Sequence, residues 1–184
     1  SIMKRNSCGK SLDIARMAEA EGVDAIALHG RTRAQGYTGE ANWEWIARMK
    51  QAVRIPVIGN GDIRCVRDAE QRLRESGCDA VMVGRALVGN PWLMRAAALW
   101  AQGCDASQAD ADAVPDMAER LRVILEHARL MHLHRPRKGL IEFRKHCGTY
   151  LKGLPNSRRA RPELMQVETL DQLHAILDKF YGPD

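Results

Sequence analysis

Pro56-Val57-Ile58-Gly59-Asn60-Gly61-Asp62 decides the fold. Its apolar part is too short for a helix and rich in β-branched residues, so it reads as a buried parallel strand. It ends in glycine and small polar residues. The same pattern recurs on either side. Ala25-Ile26-Ala27-Leu28 runs into His29-Gly30-Arg31-Thr32, and Ala80-Val81-Met82-Val83 runs into Gly84-Arg85. In α/β folds the carboxyl ends of such strands form the site. Glycines there let backbone N–H groups approach a phosphate, and Arg85 supplies a cation to clamp it. The pattern therefore predicts an α/β protein that holds a phosphate-bearing ligand.

Helices are expected between the strands. Residues 11–22 carry an apolar stripe, with Ser11 as N-cap and Gly22 as the stop. Helices are also predicted over about 42–53, over Val66–Ser76 and from Pro91 to Ala101. Glu21-Gly22-Val23-Asp24 before the first strand is echoed by Ser76-Gly77-Cys78-Asp79 before the third. Repetition at βα spacing is what a (β/α) barrel or a doubly wound sheet gives. Gln102–Val114 lacks an apolar period and reads as a linker ended by Pro115. Beyond it the chain reads as all-helical. Met117 to Met131 and Leu140 to Leu151 form amphipathic helices, Gly153-Leu154-Pro155-Asn156 breaks the pattern, and a last helix spans about 169–180 with Thr169 as N-cap.

Composition narrows the function classes. The 184 residues are 45% hydrophobic, with no apolar stretch near the ~20 residues needed to span a bilayer. With no secretory apolar core at the amino terminus, the expectation is a cytoplasmic protein with no membrane contact. Five cysteines, at 8, 65, 78, 104 and 147, form no CxxC pair, which speaks against a disulfide framework or a metal site. Cys78 and Cys147 read as packing residues. The net charge is +5, but Arg129–Arg161 holds ten Lys or Arg against one acid, Glu142. A basic segment on a near-neutral body is the footprint of a nucleic-acid partner, or a solvated helical face. In the helix over 140–151, Lys145 falls opposite the apolar stripe, with Arg144 and His146 flanking it.

Taken together, His29-Gly-Arg-Thr-Arg33, Gly36-Tyr-Thr-Gly-Glu-Ala-Asn-Trp43, Ile55-Pro-Val-Ile-Gly-Asn-Gly-Asp-Ile63, Gly77-Cys-Asp-Ala-Val-Met-Val-Gly-Arg-Ala86 and Gly89-Asn-Pro-Trp92 resemble the bacterial tRNA-dihydrouridine synthases. Phe143-Arg-Lys-His146 and Tyr150-Leu-Lys152 stand where that family has its helical tail. The resemblance implies an FMN-dependent TIM barrel with a helical tRNA-binding domain, reducing uridine to 5,6-dihydrouridine with NADPH as reductant. The fold expected is thus a partial (β/α)8 barrel over 1–101, a linker over 102–115 and a helical domain over 116–184. By the same resemblance His29, Asn60, Gly61, Asp62, Gly84 and Arg85 contact FMN. Arg31, Lys138, Arg144, Lys145 and His146 are the expected tRNA contacts. Ser1 to Cys8 reads as a remnant of a further strand, which makes Lys4 a flavin contact.

The family's catalytic cysteine sits in an Asn-Pro-x-x-Cys-Pro motif. None of the five cysteines has that context, so no catalytic residue is assigned. The chain reads as the carboxyl-terminal part of a synthase, impaired alone, whose open barrel edge favours self-association. The competing readings are a non-catalytic RNA-binding module and another FMN-dependent TIM-barrel oxidoreductase.

Overall fold

A computed structural model of the chain describes residues 2–36 and 38–182, with side chains described from Lys10 onward. Among the described residues there are nine α-helices and one three-stranded sheet. Strands β1 (Ile26–His29), β2 (Val57–Asn60) and β3 (Ala80–Met82) pair in parallel in that order. Parallel neighbours need crossovers, and α2 (Glu44–Ala52) and α3 (Val66–Ser76) provide them. The register sets His29 beside Asn60 and Asn60 beside Met82, so the carboxyl ends of all three strands lie level.

Contacts divide the chain into two units, Ser1–Ala86 with Ala96–Asp110, and Leu87–Arg95 with Ala111–Asp184. In the first, α1 (Ile2–Ala20), α2 and the sheet enclose Ala15, Trp43, Ile46, Met49, Val57 and Cys78. Trp43 lies over β2 because residue 59 is glycine. A Cβ there would come within 2.5 Å of the indole and 3.2 Å of Cys78 Sγ. The indole Nε1–H donates to the Gly61 carbonyl at 3.1 Å, so a core anchor also holds the turn after β2. Asp79 accepts from the Val57 N–H at 2.7 Å and from Lys50 at 2.9 Å, locking the start of β2 to that of β3.

The second unit is helical: α6 (Met117–His134), α7 (Gly139–Tyr150), α8 (Ser157–Leu164) and α9 (Leu170–Tyr181). Phe143, Ile124, Cys147, Leu151, Leu173 and Leu177 form its core. Gly139 lets α7 start directly against α6, since a Cβ there would run into the Met131 carbonyl. Thr169 is the N-cap of α9, as expected, and forms a reciprocal capping box with Gln172.

Three local expectations are corrected. Residues 2–10 continue α1 and are not a strand remnant, so Ser11 lies inside the helix and is not its N-cap. Lys4 lies in this part of α1, and its side chain falls outside the described residues. Residues 102–115, read as a linker, contain α5 (Ala106–Asp112). Its Asp110 carboxylate accepts from the Val66 N–H at 2.8 Å and the Arg67 N–H at 3.2 Å, capping α3. Helix α8 was hidden by Pro162 within it and by the Gly153–Asn156 break before it.

Phe143→Ala is expected to cost about 3–5 kcal/mol, because the ring is almost fully buried at the centre of the helical core. Urea denaturation followed by circular dichroism measures it, and a loss below about 1 kcal/mol would place the ring outside a packed core.

Candidate functional site

The chain leaves β2 through Asn60, Gly61 and Asp62, and the backbone there is unusual. Gly61 has φ +145° and Asp62 has φ +54°. A Cβ at Gly61 would lie 2.5 Å from that of Ala41. Asp62 occupies the left-handed region, where an aspartate is among the few non-glycine residues tolerated. This turn brings its carboxylate back over the loop that follows β1. One oxygen accepts from the Ala41 N–H at 2.7 Å and from Arg31 Nη2 at 2.6 Å. The other accepts from Arg31 Nε at 3.3 Å and from Arg85 Nη2 at 3.0 Å.

Arg31 also donates to the carbonyls of Thr38 at 2.9 Å and Gly39 at 2.6 Å, and its side chain is only 6% exposed. Expected as a tRNA contact, it is instead the internal strut of the loop over 30–41. Arg85 is the outer arginine of the pair, with its side chain 57% exposed. Burial alone would raise the Asp62 carboxyl. The bonds from Arg31 and Ala41 and the charges of Arg31 and Arg85 outweigh it, so the carboxyl sits below its ordinary value.

At the tip of β1, His29 Nδ1 lies 3.0 Å from the Asn60 carbonyl. A carbonyl only accepts, so Nδ1 carries the hydrogen and the neutral ring keeps its lone pair on Nε2. Asn60 in turn donates through Nδ2 to the Met82 carbonyl at 3.2 Å, which ties the tips of β2 and β3 together. The structure brings His29, Asn60, Gly61, Asp62, Gly84 and Arg85 onto one cavity of about 510 Å³. That lies within the roughly 300–1,000 Å³ range of small-molecule sites. Gly84 has open space where a side chain would stand. Its lining of guanidinium, imidazole and glycine backbone is suited to binding an anion.

The expected tRNA contacts in the helical unit divide. Lys138 and Lys145 are exposed. Arg144 is committed to the chain before α9: its Nε–H donates to the Val167 carbonyl at 2.9 Å, and the side chain is 22% exposed. His146 is half-buried, its ring 5.2 Å from that of His127, and burial together with the Lys145 charge pushes its pKa down. It is therefore mostly neutral at pH 7 and is a poor phosphate partner. His127 packs edge-on to Phe143 and lies 3.1 Å from Tyr150 Oη through Nδ1. Burial, with a smaller contribution from His146, lowers its pKa as well.

Cys78 and Cys147 are buried, as expected of packing residues. Burial pushes the Cys147 thiol up to about 12, so it is not a nucleophile at neutral pH. Among the described residues no three His, Cys, Asp or Glu side chains gather as a metal would need, and no helix is long and apolar enough to cross a membrane.

Sequence reading did not foresee Arg64 in the cavity wall or Asp62 as the partner of two arginines. Three arginines and one aspartate at strand ends were the available signal, and only the loop geometry pairs them.

The dihydrouridine synthase family model matches residues 1–181. The chain is 43% identical over 173 residues to a protein of Mycobacterium tuberculosis named probable tRNA-dihydrouridine synthase, covering 93% of this chain and 43% of that protein. It is 36% identical over 168 residues to probable tRNA-dihydrouridine synthase 1 of Synechocystis sp., covering 91% of this chain and 46% of the relative. Against tRNA-dihydrouridine synthase B of Pseudomonas aeruginosa the identity is 37% over 170 residues, covering 92% and 50%. The chain thus spans about half the length of these relatives.

The folded Asp62 carboxyl lies below its ordinary 3.8. Its contribution to stability is therefore complete above that pH and is lost as pH falls through the lower folded value. Asp62→Asn should flatten this acid limb in denaturation curves recorded from neutral pH downward. Arg31→Met should cost about 1–3 kcal/mol at pH 7 by stripping a half-buried carboxylate of its main donor. An acid limb unchanged in Asp62→Asn would remove the carboxylate from this role.

Proposed function

The chain belongs to the dihydrouridine synthase family, and we propose that it forms the phosphate side of an FMN site and the RNA-binding helices of a tRNA-dihydrouridine synthase. The observation that carries the reading is the single cavity shared by His29, Asn60, Gly61, Asp62, Gly84 and Arg85. The parallel β-α-β-α-β order supports a partial (β/α)8 barrel as the frame.

The residues present fit a phosphate-bearing flavin. Gly84 leaves room at the cavity wall, and Gly61 adopts a backbone angle that side chains disfavour. In this reading the amides of Gly61 and Gly84 and the Arg85 guanidinium hold the phosphate, while His29 and Asn60 bond polar edges of the flavin. Lys4 is given no flavin contact, because the strand remnant that implied one is part of α1. When bound, FMN supplies hydride to the uracil ring, with NADPH as the source of electrons. The chain's own contribution is binding and orientation. His29 Nε2 is a fixed hydrogen-bond acceptor because Nδ1 is engaged by Asn60. Asp62 faces Arg31 and Arg85 and acts as their positioning residue, since a carboxylate would repel a phosphate. No cysteine of the chain is given a catalytic role.

For tRNA, the exposed cations of the helical unit are the proposed contacts. Lys138 and Lys145 are joined by Arg137, Lys152, Arg158, Arg159 and Arg161, all exposed. Among the described residues, none of these seven is ion-paired with an acidic side chain, whereas Arg129, Arg135 and Arg144 of the same segment are. Unpaired exposed cations are what phosphate contacts require.

Cells lacking the gene should have tRNA depleted of dihydrouridine at one or more positions by mass spectrometry, restored by the wild-type gene. Unchanged dihydrouridine content would overturn the reading. Lys138→Glu with Lys145→Glu should weaken tRNA binding about tenfold and flatten the salt dependence, each lost phosphate contact reducing the log–log slope by about 0.7–0.9.

A further inference from the structure

Arg64 lines the same cavity as Arg85 and carries no role in the reading above. Ile63 is buried beside it and pins the chain, and the Arg64 N–H donates to Asp68 at 2.8 Å, fixing the backbone just before α3. The Arg64 side chain is exposed, and among the described residues no acidic side chain pairs with it.

Two further facts bear on what it faces. A helix N-terminus is the usual backbone anion site, but that of α3 is taken: the Val66 and Arg67 N–H groups donate to Asp110. An anion in this cavity must therefore rely on side chains and on the glycine turns. The charges of the wall also do not cancel. Three arginines, Arg31, Arg64 and Arg85, line the cavity with one acidic residue, Asp62. Arg31 is buried against Asp62, Arg85 bonds the same carboxylate from the exposed side, and Arg64 is exposed, so the lining keeps an excess of positive charge.

We propose that Arg64 is the second cation of a two-arginine clamp, closing with Arg85 on one phosphomonoester dianion. This rests on the reading that the cavity takes a phosphorylated cofactor. A phosphomonoester carries about −1.5 to −2 at pH 7, with a second pKa near 6, so two guanidiniums match it where one would not. A guanidinium also presents paired N–H groups to phosphate oxygens. FMN and the adenosine 2′-phosphate of NADPH both offer this group, and riboflavin and NADH are their counterparts without it.

The test titrates FMN, riboflavin and inorganic phosphate into wild-type protein and into Arg64→Gln, Arg64→Lys and Arg85→Gln by calorimetry, and compares NADPH with NADH kinetically. Matching thermal melts establish that the variants fold. The expected result is FMN binding weakened about tenfold in Arg64→Gln and partly restored in Arg64→Lys, with riboflavin unchanged. The wild-type preference for FMN over riboflavin should also grow as pH rises through about 6. If instead Arg64→Gln raises KM for NADPH and not for NADH, with FMN unaffected, the clamped group is the 2′-phosphate and the clamp stands. If neither flavin binds but inorganic phosphate binds wild type and not Arg64→Gln, the clamp stands and the flavin reading falls. FMN binding that depends on Arg85 and not on Arg64 overturns the clamp and leaves the flavin reading intact. A protein indifferent to phosphate and to every phosphorylated probe overturns both.

Discussion

One carboxylate organises the strand-tip end of the sheet. Asp62 gathers the Ala41 N–H and the Arg31 fork from the loop after β1 and one Arg85 nitrogen from the segment after β3. The loop after β1, the turn after β2 and the segment after β3 are tied together at that point. The glycine before it makes this geometry possible, and the Trp43 indole fixes it from beneath by bonding the Gly61 carbonyl. A core tryptophan, a left-handed aspartate and a buried arginine thus form one continuous support, with the cavity on its far side. Low exposure strengthens the Arg31 pairing, because water competes little for a guanidinium that is 6% exposed.

Much of this order was legible in the sequence, for identifiable reasons. Helix α3 has the expected bounds, Val66–Ser76, because its end is written in Gly77, which adopts φ +65°. Gly22 ends α1 in the same way with φ +86°. The echo between the two stretches is thus a shared helix stop placed before a strand. The strands were foreseen from their short apolar runs, although β3 keeps only Ala80–Met82 of the run that extends to Val83. What failed were features whose cause lies far away in sequence. Helix α5 has little apolar pattern of its own, yet two of its alanines, Ala106 and Ala109, are buried. Residues 2–10 have no periodic signal, and their helical backbone follows from continuity with α1. Arg31 looked like a loop charge because nothing local reveals an acid 31 residues away.

The helical unit shows the same division between pattern and partner. Periodicity placed Lys145 outward correctly. It also placed Arg144 and His146 near the surface, but a flanking position on a helix is decided by what packs beside it. Arg144 finds the Val167 carbonyl, and His146 packs beside His127. Both are half-buried, and Arg144 spends its Nε–H on the chain itself. The cations left outward lie on α7, on α8 and in the turns, which form a more dispersed set than the basic run suggested.

The Asp110 cap on α3 has a practical meaning for anyone dividing this protein into pieces. The amides of Val66 and Arg67 are satisfied by a residue more than 40 positions further on. An expression boundary drawn after Ala101, where the strand-and-helix pattern stops, would discard that carboxylate and leave the start of α3 ragged, at a cost of about 0.5–2 kcal/mol. A truncation that keeps this cap therefore runs past Asp110. Foreign sequence is better inserted elsewhere than into α5.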